Sequence, residues 1–307
     1  MTTSRLYRAE MAFIRRLGHM NVFSLDEEAL RRWLERYGTR QPRGVPPFIL
    51  ARHRVTRQTV AGCPCPSIEP RRGWQEGSPL VLFLHGGGFI FEALPMHWMA
   101  ASKIVRRSGT RVIFPSYPLL PRAGIYEAND MVLELYRQLC ARYGHSTITV
   151  LGDSAGATLA LTLTLSILRH EPTLKVPKQL ILVSPAQGIM DDPSLRARVQ
   201  AQGATDVMIP PSLLYVLQRL MPQDASRDRF FATPLEQDYT GFPPTEVYCG
   251  SAEVFYPFME GFISRLHAAG VTANFHVGEG MCHVWPYVPL APEATQALDR
   301  IIATITR

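Results

Sequence analysis

A glycine-flanked serine between a short apolar stretch and a long one constrains the fold of this chain more than any other feature. The pattern Gly-Asp-Ser-Ala-Gly at 152–156 follows a strand-like stretch at 147–151. It precedes an apolar run at 157–168 that contains neither proline nor glycine. Such a pattern between a strand and a helix is typical of a nucleophile elbow, a strained turn that exposes the hydroxyl of its serine, here Ser154. Side chains at the two glycine positions would collide with the neighbouring strand and helix.

A second glycine motif follows the apolar stretch 80–84. His85 precedes three consecutive glycines at 86–88, so the backbone N–H groups of this loop can approach a ligand oxygen. Donors of this kind stabilise the negative charge that develops on a carbonyl oxygen during acyl transfer. A dinucleotide-binding fingerprint is excluded because Phe91 occupies its third glycine position. A plain flexible turn is the alternative, and the serine elbow downstream favours an oxyanion hole.

Short apolar stretches alternate with helical patterns over most of the chain. The strand candidates are 80–85, 111–115, 147–152, 179–184, 245–249 and 272–277. The helix candidates are 95–108, 125–143, 155–170, 256–269 and 291–305. This alternation predicts an α/β fold with a mostly parallel, doubly wound sheet flanked by helices.

One inserted segment, 187–240, interrupts the alternation. It contains Asp191-Asp192-Pro193 and the prolines at 210–211, and a helical piece is expected near 213–220. An insertion after the fourth strand candidate would lie at the carboxyl edge of the sheet, where ligands bind in such folds. We therefore expect a helical cap and a catalytic domain, the cap formed by residues 1–50 and 187–240 and the catalytic domain by residues 51–186 and 241–307.

The elbow serine needs a base and an orienting acid, because a serine hydroxyl is a weak nucleophile at its ordinary pKa. With this kind of elbow the acid follows the serine in the chain and the histidine comes last. His283 lies in a loop after the last strand candidate, whereas His267 falls in a predicted helix and His276 in a predicted strand. Glu253 follows the fifth strand candidate, and Glu260 is the alternative acid, one to two turns into the next helix.

These motifs resemble the bacterial esterase branch of the hormone-sensitive lipase family of α/β-hydrolases. The resemblance covers about residues 50–307 and rests on the segments 85–88, 152–156, 184–185, 243–244, 250–253 and 280–283. It implies the α/β-hydrolase fold, a two-part cap and no cofactor. It also implies roles for six residues: Ser154 as the nucleophile, Glu253 as the acid, His283 as the base, and Gly87, Gly88 and Ala155 as donors of the oxyanion hole.

The chain departs from the family pattern in three places. Glu253 replaces the usual aspartate and is one methylene longer, so its loop is expected to lie slightly farther from His283. Ala157 replaces the second glycine that often follows the elbow alanine. Both charged members of the family's Tyr-Arg-x-x-Pro-Glu segment are altered at 117–122, so a supporting salt bridge is expected to be missing. None of these changes removes a catalytic group.

The implied reaction is the hydrolysis of small to medium acyl esters through an acyl-enzyme. Phe89, Phe255 and Trp285 flank the motifs and are predicted to line an apolar substrate pocket. A lactone hydrolase, an amidase or an acyltransferase would use the same triad, and these alternatives stay open. A non-catalytic small-molecule receptor on the same fold is disfavoured, because all three triad residues are present.

The composition excludes several other classes of protein. The 307 residues carry a net charge of +6, but the 29 arginines are scattered rather than grouped with aromatic residues, so no nucleic-acid partner is expected. No apolar stretch reaches the ~18 residues of a membrane span, and arginines interrupt the apolar N-terminus, so we expect a cytoplasmic protein without membrane insertion. Five irregularly spaced cysteines predict neither a disulfide framework nor a metal site. The sequence leaves a homodimer open.

Overall fold

A central sheet of eight strands organises the computed structural model, which describes residues 3–17, 22–38, 41, 44–188, 192–220, 224 and 226–307. One half of this sheet contains β1 (Arg54–Thr56), β4 (Ser67–Glu69), β5 (Leu80–Leu84) and β6 (Arg111–Ile113). A separate two-stranded sheet is formed by β2 (Thr59–Val60) and β3 (Cys63–Pro64). The remaining strands are β7 (Ile148–Asp153), β8 (Gln179–Val183), β9 (Thr245–Gly250) and β10 (Ala273–Gly278).

The spatial order of the main sheet is β1-β4-β6-β5-β7-β8-β9-β10. Strands β5 to β10 are parallel, and β4 pairs antiparallel with both β1 and β6. The predicted mostly parallel α/β sheet is therefore confirmed. The four strands before residue 80 were not predicted, because each is only two or three residues long. The predicted strand at 111–115 already ends at Ile113.

The helices flank this sheet on both faces or lie beyond its edge. They are α1 (Arg5–Leu17), α2 (Glu27–Tyr37), α3 (Pro47–Leu50), α4 (Pro95–Ser108), α5 (Ile125–Tyr143), α6 (Ala155–His170), α7 (Pro193–Gln202), α8 (Pro211–Leu220), α9 (Tyr256–Ala268) and α10 (Pro292–Ile305). The five helices predicted between the strands are α4, α5, α6, α9 and α10, and each is present within one residue of its predicted bounds.

Alternating side chains along the parallel strands build two hydrophobic cores. On β5, Leu80, Leu82 and Leu84 face the layer of α5, α6 and α9, whereas Val81 and Phe83 face α4 and α10. Since successive side chains of a strand point to opposite faces, a fully apolar strand must be covered on both sides. The carboxyl ends of these strands remain at one edge of the sheet, and the candidate site lies there.

The inserted segment holds one helix that the sequence interpretation missed. No helix was predicted around residue 193, but Pro193 is the first residue of α7. Asp192 caps this helix by accepting the N–H of Ser194 at 2.8 Å. Proline is well tolerated at the first position of a helix, where its missing N–H has no intrahelical acceptor. Residues 189–191 of the predicted insertion lie outside the described residues.

Candidate active site

The turn between β7 and α6 holds Ser154 in a conformation that non-glycine residues rarely adopt. Its φ is 50° and its ψ is −121°, and such a residue costs about 1–3 kcal/mol that the surrounding structure must offset. The N–H of Ser154 donates to the carbonyl of Val183 at 2.8 Å. A Cβ at Gly156 would lie 2.0 Å from the carbonyl oxygen of Leu84, so only glycine allows α6 to approach β5 this closely.

Three side chains from three loops form one hydrogen-bonded chain at this edge of the sheet. The Nε2 atom of His283 lies 2.9 Å from the Oγ of Ser154, and its Nδ1 lies 2.6 Å from Oε2 of Glu253. The second carboxylate oxygen of Glu253 accepts the N–H of Gly250 at 3.0 Å and the thiol of Cys249. A proton on Nδ1 donated to Glu253 leaves Nε2 free to accept the proton of Ser154.

The charges around His283 favour its protonated form. Burial of the ring opposes this, but the hydrogen bond and charge of Glu253, with smaller contributions from Asp206 and Asp153, raise the pKa of His283 above its ordinary value. An imidazolium that forms after proton transfer from Ser154 is therefore stabilised where it stands.

Ester turnover is expected to rise with pH as His283 loses its proton, with a midpoint above the ordinary histidine value of about 6.5. The base must be neutral to accept a proton, and the negative surroundings hold that proton to a higher pH. The measurement is kcat/KM for an uncharged ester between pH 5 and 9, with the folded fraction checked at each pH. A profile that is flat from about pH 5 to 8 would contradict His283 as the base.

The first helix supports the loop that carries His283. The hydroxyl of Tyr7 accepts the N–H of Cys282 at 2.6 Å and donates to the carbonyl of Gly280 at 3.3 Å. These bonds fix the backbone immediately before His283 from a helix more than 270 residues away in the chain. The sequence interpretation missed Tyr7, because no motif connects it to that loop.

The predicted oxyanion residues lie next to Ser154. Gly87, Gly88 and Ala155 all line the same cavity as the serine. Gly87 has a φ of 118° and Gly88 a φ of 64°, which a residue with a side chain adopts only with strain. Ala155 is the first residue of α6, so its N–H has no intrahelical acceptor.

The glycine loop packs against a buried polar cluster formed by His85, His97, Tyr117 and Asp153. The ring of His85 stacks on Tyr117 with 4.4 Å between centroids, and its Nδ1 lies 2.8 Å from the carbonyl of Gly86. Burial, with a smaller electrostatic contribution from His97, lowers the pKa of His85 to about 4, so this ring is neutral at neutral pH. Asp153 is buried, and its Oδ2 lies 3.1 Å from Nε2 of His97. His97 was not singled out from sequence, because it lies in an ordinary helical pattern.

The serine opens onto an apolar cavity of about 170 Å³. Phe89 and Phe255 lie in its wall, as the sequence predicted, but Trp285 does not. The indole of Trp285 is buried in the other core and lies so close to Gly278 that a Cβ there would clash with the ring. The structure therefore does not support substrate binding by Trp285. The wall also contains residues from both predicted parts of the cap, among them Phe23, Met208, Ile209, Leu213, Leu214 and Leu217.

The alternative acid and bases lie elsewhere. The side chain of Glu260 is 82% exposed on α9, and its Oε2 lies 3.7 Å from Nη2 of Arg198. His267 is exposed on the same helix, and His276 lies on β10 beside Glu246. Among the described residues, no group of three His, Cys, Asp or Glu side chains is arranged to hold a metal ion. In the same residues, no helix has the length and apolarity needed to cross a membrane.

Comparison with known proteins places this site in a family. Residues 81–287 match the family model described as the alpha/beta hydrolase fold. The chain belongs to this family. The hydrolase is 30% identical over 227 residues to an esterase of Acinetobacter venetianus, covering 72% of this chain and 73% of that protein. It is 27% identical to the carboxylesterase/phospholipase LipF of Mycobacterium tuberculosis, where the match covers 72% of this chain but only 60% of LipF.

One solved structure narrows the relationship. The hydrolase superposes on an esterase from the bacterial hormone-sensitive lipase family with a TM-score of 0.80 and 25% identity, over 100% of this chain and 99% of that one. It is therefore a member of the hormone-sensitive lipase family. The predictions of the fold, of this family and of a serine ester hydrolase are confirmed.

Proposed function

We propose that the hydrolase cleaves carboxylic esters of small to medium acyl chains through an acyl-enzyme on Ser154. This proposal rests on the hydrogen bonds that link Ser154 through His283 to Glu253. Ser154, at one end of this chain of hydrogen bonds, lines an apolar cavity. A nucleophile, a base and an orienting acid in this order are what acyl transfer requires.

The geometry supports a two-step reaction. His283 takes the proton of Ser154 as Oγ attacks the ester carbonyl. The oxyanion then accepts hydrogen bonds from the backbone N–H groups of Gly87, Gly88 and Ala155. His283 then passes this proton to the oxygen of the leaving alcohol as the ester bond breaks. In the second step water loses a proton to His283 and attacks the acyl carbonyl. The proton returns to Oγ of Ser154, and the carboxylic acid leaves.

The size of the cavity favours short acyl chains. An apolar cavity of about 150 Å³ holds a molecule of the size of benzene, and this one measures about 170 Å³. We therefore expect p-nitrophenyl butyrate or hexanoate to be hydrolysed with a far higher kcat/KM than the palmitate ester. The measurement is a p-nitrophenyl series from acetate to palmitate, supplemented by lactones and an anilide. A preference for emulsified long-chain substrates would contradict the proposal, and a preference for lactones or the anilide would reassign the substrate class.

The cap is part of this proposal. We assign residues 1–50 and 187–240 to a cap that closes the cavity over a catalytic domain of residues 51–186 and 241–307. Phe23 and Leu217 from the two cap segments both line the cavity, and Arg219 of α8 pairs with Glu27 of α2 at 2.5 Å. A cytoplasmic location belongs to the same proposal and is tested by cell fractionation. Light scattering decides between a monomer and a homodimer.

A further inference from the structure

The carboxylate of Asp206 joins the inserted segment to the loop that carries Glu253. Its Oδ1 accepts the N–H groups of Met208 and Ile209 at 2.8 and 2.9 Å. Its Oδ2 accepts the N–H of Val254 at 2.8 Å. Because Val254 directly follows Glu253, this bond holds the acid loop only one residue from the triad. Hydrogen bonds to an ionised carboxylate are stronger than those between neutral groups.

Two neutral hydrogen bonds hold the same loop on its other side. The amide of Gln202 donates to the carbonyl of Ser251 at 2.6 Å. The hydroxyl of Thr205 shares its proton between the carbonyl oxygens of Gln202 at 2.9 Å and Ala252 at 3.2 Å. The inserted segment thus contacts the acid loop both before and after Glu253.

The charge of Asp206 also acts on His283. Three carboxylates influence this histidine from different elements: Glu253 from the acid loop, Asp153 from the end of β7, and Asp206 from the inserted segment. Burial raises the pKa of Asp206, while His283 and the three backbone N–H groups act to lower it. The other titratable groups that interact with Asp206 are kept neutral by burial, which raises their pKa values; they are Tyr7, Cys249 and Cys282.

We propose that Asp206 is a positioning residue of the triad: it fixes the acid loop to the cavity wall and places a further negative charge near His283. Met208 and Ile209 share its Oδ1 and line the cavity. One carboxylate therefore connects the surface that meets the acyl chain with the loop that orients the base. The inference rests on the proposed ester hydrolysis, and its effect on the reaction passes through Glu253 and His283.

Asp206→Asn is the direct test. The amide cannot accept from all three N–H groups through its single oxygen, so the bond from Val254 is lost together with the charge. We expect kcat on p-nitrophenyl butyrate to fall about 10-fold to 100-fold, the size of one charge-assisted hydrogen bond. The acid limb of the kcat/KM profile is expected to move to lower pH, because His283 loses one of the charges that hold its proton.

Asp192→Asn is the matched control. Asp192 lies in the same inserted segment and accepts similar bonds from Ser194 at the exposed start of α7, so its removal should change neither kcat nor the acid limb. Folding of each variant is checked by Tm. If Asp206→Asn does not fold, Asp206→Ser removes the charge while keeping a short acceptor for the local turn.

Two outcomes would overturn the inference. A folded variant with wild-type kcat and an unmoved acid limb would show that Asp206 does not position the triad. A lower kcat with an unmoved acid limb would show a purely structural role. Failure of the proposed function looks different, since the wild-type protein would then be inactive on every ester, whatever residue stands at 206.

Discussion

Replacing Ser154 by alanine is expected to lower ester turnover by several orders of magnitude and to leave the fold unchanged. The substitution removes only the hydroxyl group, and no acyl-enzyme forms without its oxygen. In other serine hydrolases the loss of the nucleophile costs on the order of 10⁶-fold in kcat, and the oxyanion hole and substrate binding supply what remains. The measurement is kcat on p-nitrophenyl butyrate together with the Tm of the variant.

Labelling and a matched variant make this result specific. An organophosphonate should modify wild-type protein at Ser154 only, and the Ser154→Ala variant should not react. Ser194→Ala removes the same atom from the exposed start of α7 and should keep wild-type turnover. Labelling at another residue, or near-normal turnover of Ser154→Ala, would show that the nucleophile lies elsewhere.

Replacing Glu253 by glutamine is expected to produce the second largest loss, approaching ~10⁴-fold in turnover by analogy with Asp→Asn in serine proteases. The carboxylate accepts from three donors: the N–H of Gly250, the thiol of Cys249 and Nδ1 of His283. A glutamine has one oxygen, and if that oxygen serves the first two donors, its NH₂ faces Nδ1. The imidazole would then carry its proton on Nε2, and a protonated Nε2 cannot accept the proton of Ser154.

Two further substitutions check this explanation. Glu253→Asp keeps the charge but shortens the reach, so it should retain partial activity. Glu260→Gln is the matched control, because that side chain is exposed on the next helix and should leave turnover unchanged. If Glu253→Gln remains nearly fully active while Glu260→Gln is inactive, the acid is Glu260, seven positions farther along the chain.

Local patterns in the sequence were sufficient for most of the fold. The long helices α4 and α5 alternate buried and exposed positions, whereas α6 is a run of apolar and small residues that is buried on all sides. All three begin and end at the residues predicted from the sequence. The same holds for the glycine motifs, since a close approach such as that of Gly156 to Leu84 leaves no alternative residue. The short strands β1 to β4 gave no comparable signal, because two or three residues cannot display a period.

The parts of the site that sequence could not supply depend on contacts across long separations. Asp206 meets Val254 from 48 positions away, and Tyr7 meets Cys282 from 275. Trp285 was predicted to line the cavity because it lies two positions after His283 in the chain. Nearness in the chain does not determine which way a side chain points. Val284 has a φ of 57°, and after this turn the indole lies against Gly278 rather than in the cavity.

The attachment of the first helix to the last part of the chain has a consequence for biosynthesis. Ser4 bonds to Glu293 and Tyr7 to Cys282, partners that are 289 and 275 positions apart. At about 5–20 residues per second, a ribosome finishes those partners tens of seconds after it makes the helix. Until then the core that receives Tyr7 and Met11 is incomplete, because Met281, Cys282 and Trp285 belong to it. The helix made earlier thus waits for the loop made later, and the histidine loop gains this support only after both segments have left the ribosome.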